Sequence, residues 1–456
     1  MDRVHHTSCH DHFNPQNQII GMKVVVIGAK ESGVGAALLC KQMGYDVLVS
    51  DNGPVIEPFR MELERSKIAF EENGHSSGMS DRFDLMVISP GVPSTVPVIR
   101  DFTNSGKEVI SEIEFAWRHI GDGKVIGITG SNGKSTLSSL IYHVMEELDR
   151  DVTLVGNIGY SFAKMIATTR SQYYVCELSS FQLESIVDFR PHVAIITNIT
   201  PDHLDRYDHS MEKYAAAKFR ITENQTSSDV LIINADDPFS MDYFKQVETK
   251  AQIKYISSDR ISVDSYISGS GKVYDLSNSQ LRGRHNRANM AQAIEALEFI
   301  GEKQYQIEQN ISSFNGLAHR LEYVATVGGV DFINDSKATN VDSVMYALDA
   351  MTQPIVWIAG GTDKGNEYNA IMPLVKDKVK HLICLGIDNT KLIDSFHNIV
   401  GSIEEAGSAE EAVRKAMKAA TPGDVVLLSP ACASFDLFKN FEDRGEKFKK
   451  AIRKLT

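Results

Sequence analysis

The feature that most constrains the fold is a regular alternation of two kinds of segment. From Lys23 onward, short apolar runs rich in β-branched residues, each closed by Gly, Ser, Asp or Asn, alternate with amphipathic segments of helix length. The pattern predicts strands at 23–27, 47–50, 85–89, 125–129, 173–176, 194–197, 230–233, 355–359, 382–385 and 425–428. This alternation is typical of βα units, and ten strands are too many for one comfortable sheet. Because ligands bind beyond the carboxyl ends of such strands, polar residues there are the candidates for chemistry.

Two interruptions of this rhythm divide the chain into predicted domains. A chain of 456 residues has room for three domains of roughly 150 residues each. A polar, glycine-containing stretch at 117–124 predicts one boundary, and the change from helical to β-like sequence between 314 and 330 predicts the next. We therefore predict a flexible tail over 1–21 and α/β domains over 22–116, 117–318 and 319–456.

Composition and charge exclude several classes of protein. With 47 basic and 60 acidic residues the net charge is -13, the wrong sign for a general binder of nucleic acid. No apolar run approaches the ~18 residues that cross a bilayer, and no secretory signal is recognisable. Five widely spaced cysteines without a C-x-x-C pair suit free thiols in a reducing compartment. We predict a cytoplasmic protein with no membrane or nucleic acid partner.

The first 21 residues are rich in histidine. A transition metal could be held there, but histidine-rich ends are more often flexible tails, and Met22 is an alternative start of the chain. The residues that could bind such a metal are His5, His6, Cys9, His10 and His12.

A first glycine-rich loop follows the first predicted strand. Gly28 to Gly35 almost matches a dinucleotide-binding fingerprint, and Asp51 ends the next strand. The middle glycine of the fingerprint, which lets a pyrophosphate approach the backbone, is replaced by Lys30. We expect a nucleotide-type ligand other than NAD near this helix start, with Asp51 facing a sugar hydroxyl. A tight turn without a ligand stays open as the alternative.

A second loop has the arrangement of a phosphate-binding P-loop. It runs from Thr129 to Thr136 between a strand and a helical run. Its backbone N–H groups and the helix N-terminus would face the phosphates, Lys134 would reach the terminal phosphate, and the Ser135 hydroxyl could ligate Mg²⁺. Ile128 stands where the standard pattern requires glycine, so this is a variant P-loop.

Carboxylates and a histidine follow two further strands. Glu177 ends one strand, and Asp202 and His203 follow another. Each residue alone has an ordinary structural explanation. Taken together with Lys134 at the same sheet edge, they favour a metal-centred site.

These residues belong to a series of motifs that resembles the Mur ligase family over essentially the whole chain after the tail. Any one motif is weak, but together and in this order they are specific. The motifs are GITGSNGKST (127–136), GNIG (156–159), ELSSFQLE (177–184), DHLDRY (202–207), YAAAKFR (214–220), HNRAN (285–289), HR (319–320), NDSKATN (334–340) and LLSPACASFDLFKNFEDRG (427–445). The resemblance implies an α/β fold with a Rossmann-like N-terminal domain, a central mononucleotide-binding P-loop domain and a Rossmann-like C-terminal domain.

The resemblance also implies two nucleotide sites and two Mg²⁺ ions. A uridine nucleotide would be bound in the first domain by Ser32, Gly33, Asp51 and Gly91. ATP would be bound by Gly130, Ser131, Asn132, Gly133, Lys134, Ser135, Thr136, Asn289, Arg320 and Asp335. One ion would be held by Ser135 and Glu177, the other by His203 and a carbamylated Lys218. From its helix alone, Lys218 would be read as a surface lysine.

The implied reaction joins UDP-N-acetylmuramoyl-L-alanine to D-glutamate in two steps. ATP phosphorylates the alanine carboxylate, and the D-glutamate amine then displaces phosphate. Lys134 and the metals would serve the first step, while Asn157, His203, Ser179 and Gln182 would contact the acyl substrate. The D-glutamate pocket would comprise Lys337, Thr339, Lys364, Ser434, Phe435 and Phe441. As alternatives, Ser434 could cap a helix starting near Phe435, and Lys364 could be solvated. We expect a monomer.

Three other functions compete with this prediction. A ligase of the same family with another acceptor, such as a folylpolyglutamate synthase, is disfavoured by NDSKATN and SPACASFD. An NAD-dependent dehydrogenase is disfavoured by Lys30. A catalytically dead nucleotide-binding regulator is disfavoured because Lys134, Glu177, His203 and Lys218 are all present.

Overall fold

The computed structural model describes residues 21–93, 95–202, 204–281, 283–363 and 365–455. The predicted tail therefore lies outside the described residues except for Gly21, and so do two predicted site residues, His203 and Lys364.

The first sheet is a five-stranded parallel sheet in the order β3-β2-β1-β4-β5. Its strands are β1 (Lys23–Ile27), β2 (Asp46–Ser50), β3 (Ala69–Glu71), β4 (Leu85–Ile88) and β5 (Glu108–Ser111). The helices are α1 (Glu31–Gln42), α2 (Phe59–Arg65), α3 (Met79–Arg82), α4 (Pro97–Asn104) and α5 (Glu112–Trp117). Val24 and Val26 pack into one core and Val25 and Ile27 into another, because helices cover both faces of the sheet.

The second sheet has six parallel strands in the order β11-β10-β9-β6-β8-β7. Its strands are β6 (Lys124–Thr129), β7 (Val152–Gly156), β8 (Tyr173–Glu177), β9 (Val193–Ile196), β10 (Val230–Asn234) and β11 (Gln252–Ile256). An antiparallel hairpin, β12 (Ser265–Ile267) and β13 (Val273–Asp275), lies beyond this sheet in the chain. The helices are α6 (Lys134–Glu147), α7 (Phe162–Thr168), α8 (Ser180–Leu183), α9 (Met211–Phe219), α10 (Pro238–Phe244), α11 (Arg284–Phe299) and α12 (Gln304–Ser313).

The third sheet has six strands in the order β14-β15-β19-β16-β17-β18, parallel except for β14. Its strands are β14 (Glu322–Val327), β15 (Val330–Asn334), β16 (Ile355–Ala359), β17 (Val379–Leu385), β18 (Ile403–Ala406) and β19 (Val425–Leu428). The helices are α13 (Val341–Ala350), α14 (Met372–Lys378), α15 (Thr390–Phe396), α16 (Ala409–Ala419) and α17 (Phe441–Ile452). Single 3₁₀ turns lie at Leu204–Tyr207, Arg220–Thr222, Ser258–Arg260 and Asn369–Ile371.

The predicted α/β class with parallel sheets is confirmed. Polar residues follow the carboxyl ends of β6, β8, β9 and β15, so the topology brings the predicted P-loop, Glu177 and Asp335 to the edges where ligands bind. Over the described part of the chain, every helix is too short or too polar to cross a lipid bilayer.

Candidate active site

The P-loop between β6 and α6 depends on two glycines. At Gly130, where φ is +144°, a Cβ would lie 1.9 Å from Thr197 Oγ1. At Gly133, where φ is +84°, a Cβ would lie 2.7 Å from Asn289 Oδ1. Only glycine allows the loop to turn this tightly against its neighbours, and the turn leads directly into the N-terminus of α6.

Lys134 is folded back onto this loop. Its Nζ donates to the carbonyl oxygens of Gly130, at 2.8 Å, and Ser131, at 2.7 Å. Burial lowers the pKa of Lys134, and the nearby Arg320 and Lys337 lower it further, while Glu177 opposes them. The loop carbonyls thus hold the amine against the P-loop itself.

Arg320 connects the third sheet to the P-loop. Its guanidinium donates to Ser135 Oγ at 2.9 Å. Close by, Asp335 accepts from Ser429 Oγ at 2.8 Å and from the Leu321 amide at 3.2 Å. Burial raises the pKa of Asp335 to about 7. Arg320, predicted for ATP, therefore reaches the P-loop from the C-terminal part of the chain, and Asp335 lies beside it.

A cavity of about 70 Å³ lies where these elements meet. Its lining includes Asn132, Gly133, Thr136, His285, Asn286, Asn289, Arg320, Asp335, Ser343 and Tyr346. The structure thus brings predicted ATP residues of four separate motifs to one partly open cavity.

Two aromatic side chains that line this cavity, His285 and Tyr346, were not among the predicted site residues. His285 and Tyr346 have ring centroids 5.3 Å apart, and burial lowers the pKa of His285 to about 4, so its ring is neutral at pH 7. The sequence could have predicted His285, since it lies four residues before Asn289 and therefore on the same face of α11. No sequence pattern indicated Tyr346, which lies on α13.

Glu177, at the end of β8, has one carboxylate oxygen bonded and one without a partner. Oε1 accepts from Asn157 Nδ2 at 2.8 Å, and the Asn157 amide donates to the Glu177 carbonyl at 2.8 Å. Oε2 is buried and accepts no hydrogen bond from any described residue. A buried acceptor without a partner requires an explanation, and a bound cation supplies one.

Lys218 is buried, so its interpretation as a surface lysine is wrong. Only 1% of the residue is exposed, and its Nζ donates to the Gly130 carbonyl at 2.8 Å and lies 4.5 Å from the centroid of the Tyr214 ring. Burial first, and then Lys134, lower its pKa well below the usual value. Within the described ranges, no group of three or more His, Cys, Asp or Glu is placed to hold a metal ion; His203 lies outside them.

The residues predicted for a uridine nucleotide lie around the first turn of α1. A Cβ at Gly33 would lie 1.8 Å from the Gly28 carbonyl oxygen, so the approach of helix to loop requires glycine at 33. Asp51 accepts from the amides of Ala29, at 2.7 Å, and Gly53, at 2.8 Å. Asp51 therefore orders two turns at this edge of the sheet. Ser32 lies in the first turn of α1 and Gly91 follows β4.

Ser179 and Gln182 are joined to each other. The Gln182 amide donates to Ser179 Oγ at 3.3 Å, and the Ser179 amide donates to Gln182 Oε1 at 2.9 Å. This reciprocal pair is the capping box of α8. It gives both side chains a structural role directly after Glu177.

The residues predicted for D-glutamate belong to the third domain, and some of them are in contact. Lys337 Nζ lies 3.8 Å from the centroid of the Phe441 ring, and burial lowers the Lys337 pKa. The Thr339 amide donates to the Lys337 carbonyl, Ser434 is buried, and Phe435 is 69% exposed. No helix starts near Phe435 in this described segment; α17 begins at Phe441, so Ser434 is not the cap that the alternative supposed. Lys364 lies outside the described residues.

Three family models match the chain in sequence. A MurD N-terminal domain matches residues 23–97, a Mur ligase middle domain matches 128–297, and a Mur ligase glutamate ligase domain matches 319–432. The chain therefore belongs to the Mur ligase family. Within that family its relatives include proteins named UDP-N-acetylmuramoylalanine–D-glutamate ligase.

Three such relatives cover nearly the whole chain. The protein from Christiangramia forsetii is 44% identical over 447 residues, which are 96% of this chain and 100% of the relative. That from Cytophaga hutchinsonii is 45% identical over 449 residues, with the same coverage. That from Porphyromonas gingivalis is 46% identical over 446 residues, 95% of this chain and 98% of the relative.

Solved structures share the fold at low sequence identity. A pseudomurein peptide ligase type C from Methanothermus fervidus aligns with a TM-score of 0.59 and 18% identity over 96% of this chain and 100% of its own. The UDP-N-acetylmuramate–alanine ligase of Thermotoga maritima aligns with a TM-score of 0.59 and 17% identity over 95% and 100%. Both confirm the fold.

Proposed function

We propose that this chain carries out the reaction for which its relatives are named. It uses ATP to form an amide bond between UDP-N-acetylmuramoyl-L-alanine and D-glutamate, a step of peptidoglycan precursor synthesis. The observation that carries the proposal is the meeting of the P-loop, Arg320 and Asp335 around one cavity, with Lys134 and the unpartnered Glu177 oxygen close to Arg320. Four described cysteines are free and buried, in agreement with a cytoplasmic location.

In the first step, the γ-phosphoryl group of ATP is transferred to the alanine carboxylate, giving an acyl phosphate and ADP. The P-loop amides and the N-terminus of α6 would hold the phosphates, and Lys134 would exchange its carbonyl partners for phosphate oxygens. Arg320 would add a second cation from the third domain. Preorganised positive charge of this kind typically accelerates such reactions about a hundredfold or more per contact.

The donor set fits a magnesium ion at Glu177. The unpartnered Oε2 is a hard anionic ligand, and Glu177 lies close enough to Lys134 and Arg320 to oppose the lowering of their pKa values by burial. We assign this ion to Ser135 and Glu177. When bound, it would neutralise the charge that builds on the phosphates.

A second ion would be held by His203 and Lys218. As an ammonium, Lys218 cannot ligate a cation. Its lowered pKa favours the neutral amine, which reacts with CO₂ by forming an N–C bond and releasing a proton. The resulting carbamate would supply the anionic oxygen that a hard cation requires.

In the second step, the D-glutamate amine attacks the acyl carbon, and a tetrahedral oxyanion collapses with loss of phosphate. Asn157 and His203 would position the acyl group. Lys337, Thr339, Lys364, Ser434 and the backbone near Phe435 and Phe441 would bind the two carboxylates of D-glutamate. The lowered pKa of Lys337 reflects a desolvated cation, which binds a carboxylate more strongly than an exposed one does.

The three domains divide these tasks. We assign the uridine nucleotide to residues 22–116, through Ser32, Gly33, Asp51 and Gly91, ATP to residues 117–318, and D-glutamate to residues 319–456. Asp51 supports this assignment by shaping the turn at the first helix start, as a nucleotide site requires.

An oxygen-transfer experiment tests the acyl phosphate. UDP-N-acetylmuramoyl-L-alanine labelled with ¹⁸O in its terminal carboxylate is incubated with ATP, Mg²⁺ and D-glutamate. Mass spectrometry should find one labelled oxygen in the released phosphate and a product heavier by one D-glutamate residue. Unlabelled phosphate would exclude the acyl phosphate.

A further inference from the structure

Helix α5 carries two buried carboxylates that reach from the first sheet to loops beside the second. Glu114 accepts from the amides of Val187, at 2.9 Å, and Phe189, at 2.8 Å. Glu112 accepts from Ser161 Oγ at 2.7 Å and from the Ala163 amide at 2.6 Å. Both carboxylates thus accept hydrogen bonds from backbone amides or a hydroxyl group of the next part of the chain, in place of the water that burial removes.

Glu112 is the less completely satisfied of the two. It is 1% exposed, and its Oε2 is buried without a hydrogen-bond partner among the described residues. Burying a carboxylate oxygen without a hydrogen-bond partner costs free energy. The bonds that Glu112 does make must therefore serve another part of the protein. Its two bonds order the start of α7, where Ser161 is the N-cap.

The segment that Glu112 orders is continuous with the loop that carries Asn157. The Gly156 amide donates to the Tyr160 carbonyl at 3.1 Å, which closes the loop one residue before Ser161. On its other side, the loop is fixed by the bonds from Asn157 to Glu177. Loop 156–160 is therefore held between the carboxylate of Glu112 and the carboxylate of Glu177.

The same contact relates this loop to the first helix of the chain. A Cβ at Gly35 would lie 2.1 Å from Ser161 Oγ, so α1 approaches the start of α7 closely. The Ser161 amide points to Glu31 Oε1 at 3.5 Å, and Glu31 directly precedes Ser32 and Gly33. One hydrophobic core continues from α1 to α7.

We propose that Glu112 is a positioning residue, which holds loop 156–160 and α1 in register so that Asn157 meets the acyl end of a substrate whose nucleotide end is bound at Ser32 and Gly33. The inference rests on the proposed function for the identity of that substrate. Glu112 acts through Ser161 and Ala163 and touches no reacting atom. Glu31, Lys164 and, through Lys164, Glu62 are the charged groups around this contact.

Four variants test the proposal. Glu112→Ala removes the acceptor, Glu112→Gln keeps an acceptor oxygen for Ser161 and Ala163, and Ser161→Ala removes one donor. Glu108→Gln is the matched control, because Glu108 pairs with Arg118 at the surface and touches neither loop. Amide hydrogen exchange over 156–163 is measured by mass spectrometry without ligands, together with ATP affinity and with KM and kcat for the UDP substrate.

The proposal predicts that Glu112→Ala raises exchange in 156–163 by about tenfold or more. It also predicts that kcat/KM for the UDP substrate falls by a similar factor, while ATP affinity stays within about twofold. Ser161→Ala should show a smaller effect in the same segment, and Glu112→Gln and Glu108→Gln should stay near the parent protein.

Unchanged exchange in both Glu112→Ala and Ser161→Ala would overturn the proposal. An equal rise in exchange and an equal fall in kcat/KM in Glu112→Gln and Glu112→Ala would also overturn it, since the acceptor oxygen kept in Glu112→Gln would then not be enough to hold the loop. If Glu112→Ala does not fold, Ser161→Ala and Glu112→Gln decide by the same exchange measurement. If the parent protein shows no turnover, the proposed function is refuted but the positioning role of Glu112 is not, because amide hydrogen exchange is measured without catalysis.

Discussion

Replacing Gly133 by alanine tests whether the shape of the P-loop creates the nucleotide site. At φ +84° an alanine costs about 1 kcal/mol more than glycine. Its Cβ would lie 2.7 Å from Asn289 Oδ1, and Asn289 is buried and donates to Asn286 Oδ1 at 3.3 Å. Moving Asn289 therefore costs a further ~1 kcal/mol for that hydrogen bond. We expect a total loss of unfolding free energy of roughly 2 kcal/mol.

The matched control is Gly44→Ala. Gly44 has φ +77°, and no described atom lies within 4 Å of its Cβ position, so only the backbone cost of about 1 kcal/mol applies. Denaturant unfolding gives the stabilities, and titration calorimetry gives ATP affinity. Gly133→Ala should weaken ATP binding about tenfold or more, because the displaced Asn289 and loop amides face the cavity. Gly44→Ala should bind ATP as the parent does. Equal stability loss in both variants with unchanged ATP affinity would refute the reasoning.

Three further predictions concern single side chains. Burial holds the pKa of Asp335 at about 7, above its unfolded value, so its contribution to stability is present below about pH 4 and is lost as the pH rises through 7. Between pH 4 and pH 8 the unfolding free energy of Asp335→Asn should therefore fall by several kcal/mol less than that of the parent protein. An equal fall in both proteins would contradict this prediction. Ser179→Ala should lose about 1 kcal/mol of unfolding free energy with ATP affinity unchanged, because the capping box of α8 is broken; a calorimetric loss of ATP binding would show that Ser179 serves ATP binding as well. With ¹³C-labelled bicarbonate, NMR should show a carbamate signal that is absent in Lys218→Met, and identical spectra would exclude the modification.

The interior strands of the fold, except β15, were predictable because they are apolar on both faces. All ten predicted strands are present, with ends within one residue of prediction except β17, which begins at Val379 instead of 382. The pattern missed β3, β5, β7, β11 and β18, which are edge strands of their sheets and bury less of their surface. The β-like run 321–330 covers β14 and the turn at Gly328 and Gly329, both with positive φ, but stops at the first residue of β15, the second strand of this hairpin.

The site was predictable where a motif has a fixed backbone geometry. The P-loop and the position of Glu177 followed from a strand and the residues that end it. Burial was not predictable, because Lys218 lies on a helix whose sequence resembles an exposed one. Contacts between distant segments, such as Arg320 with Ser135 or Glu112 with Ser161, arise only when separate sheets pack together.

The most direct test of the central claim is ATP-dependent phosphate release by the purified protein with UDP-N-acetylmuramoyl-L-alanine. D-glutamate, L-glutamate and D-aspartate are supplied in parallel as acceptors. The account predicts release with D-glutamate alone. Release with another acceptor in preference to D-glutamate, or with none of the three, would contradict it.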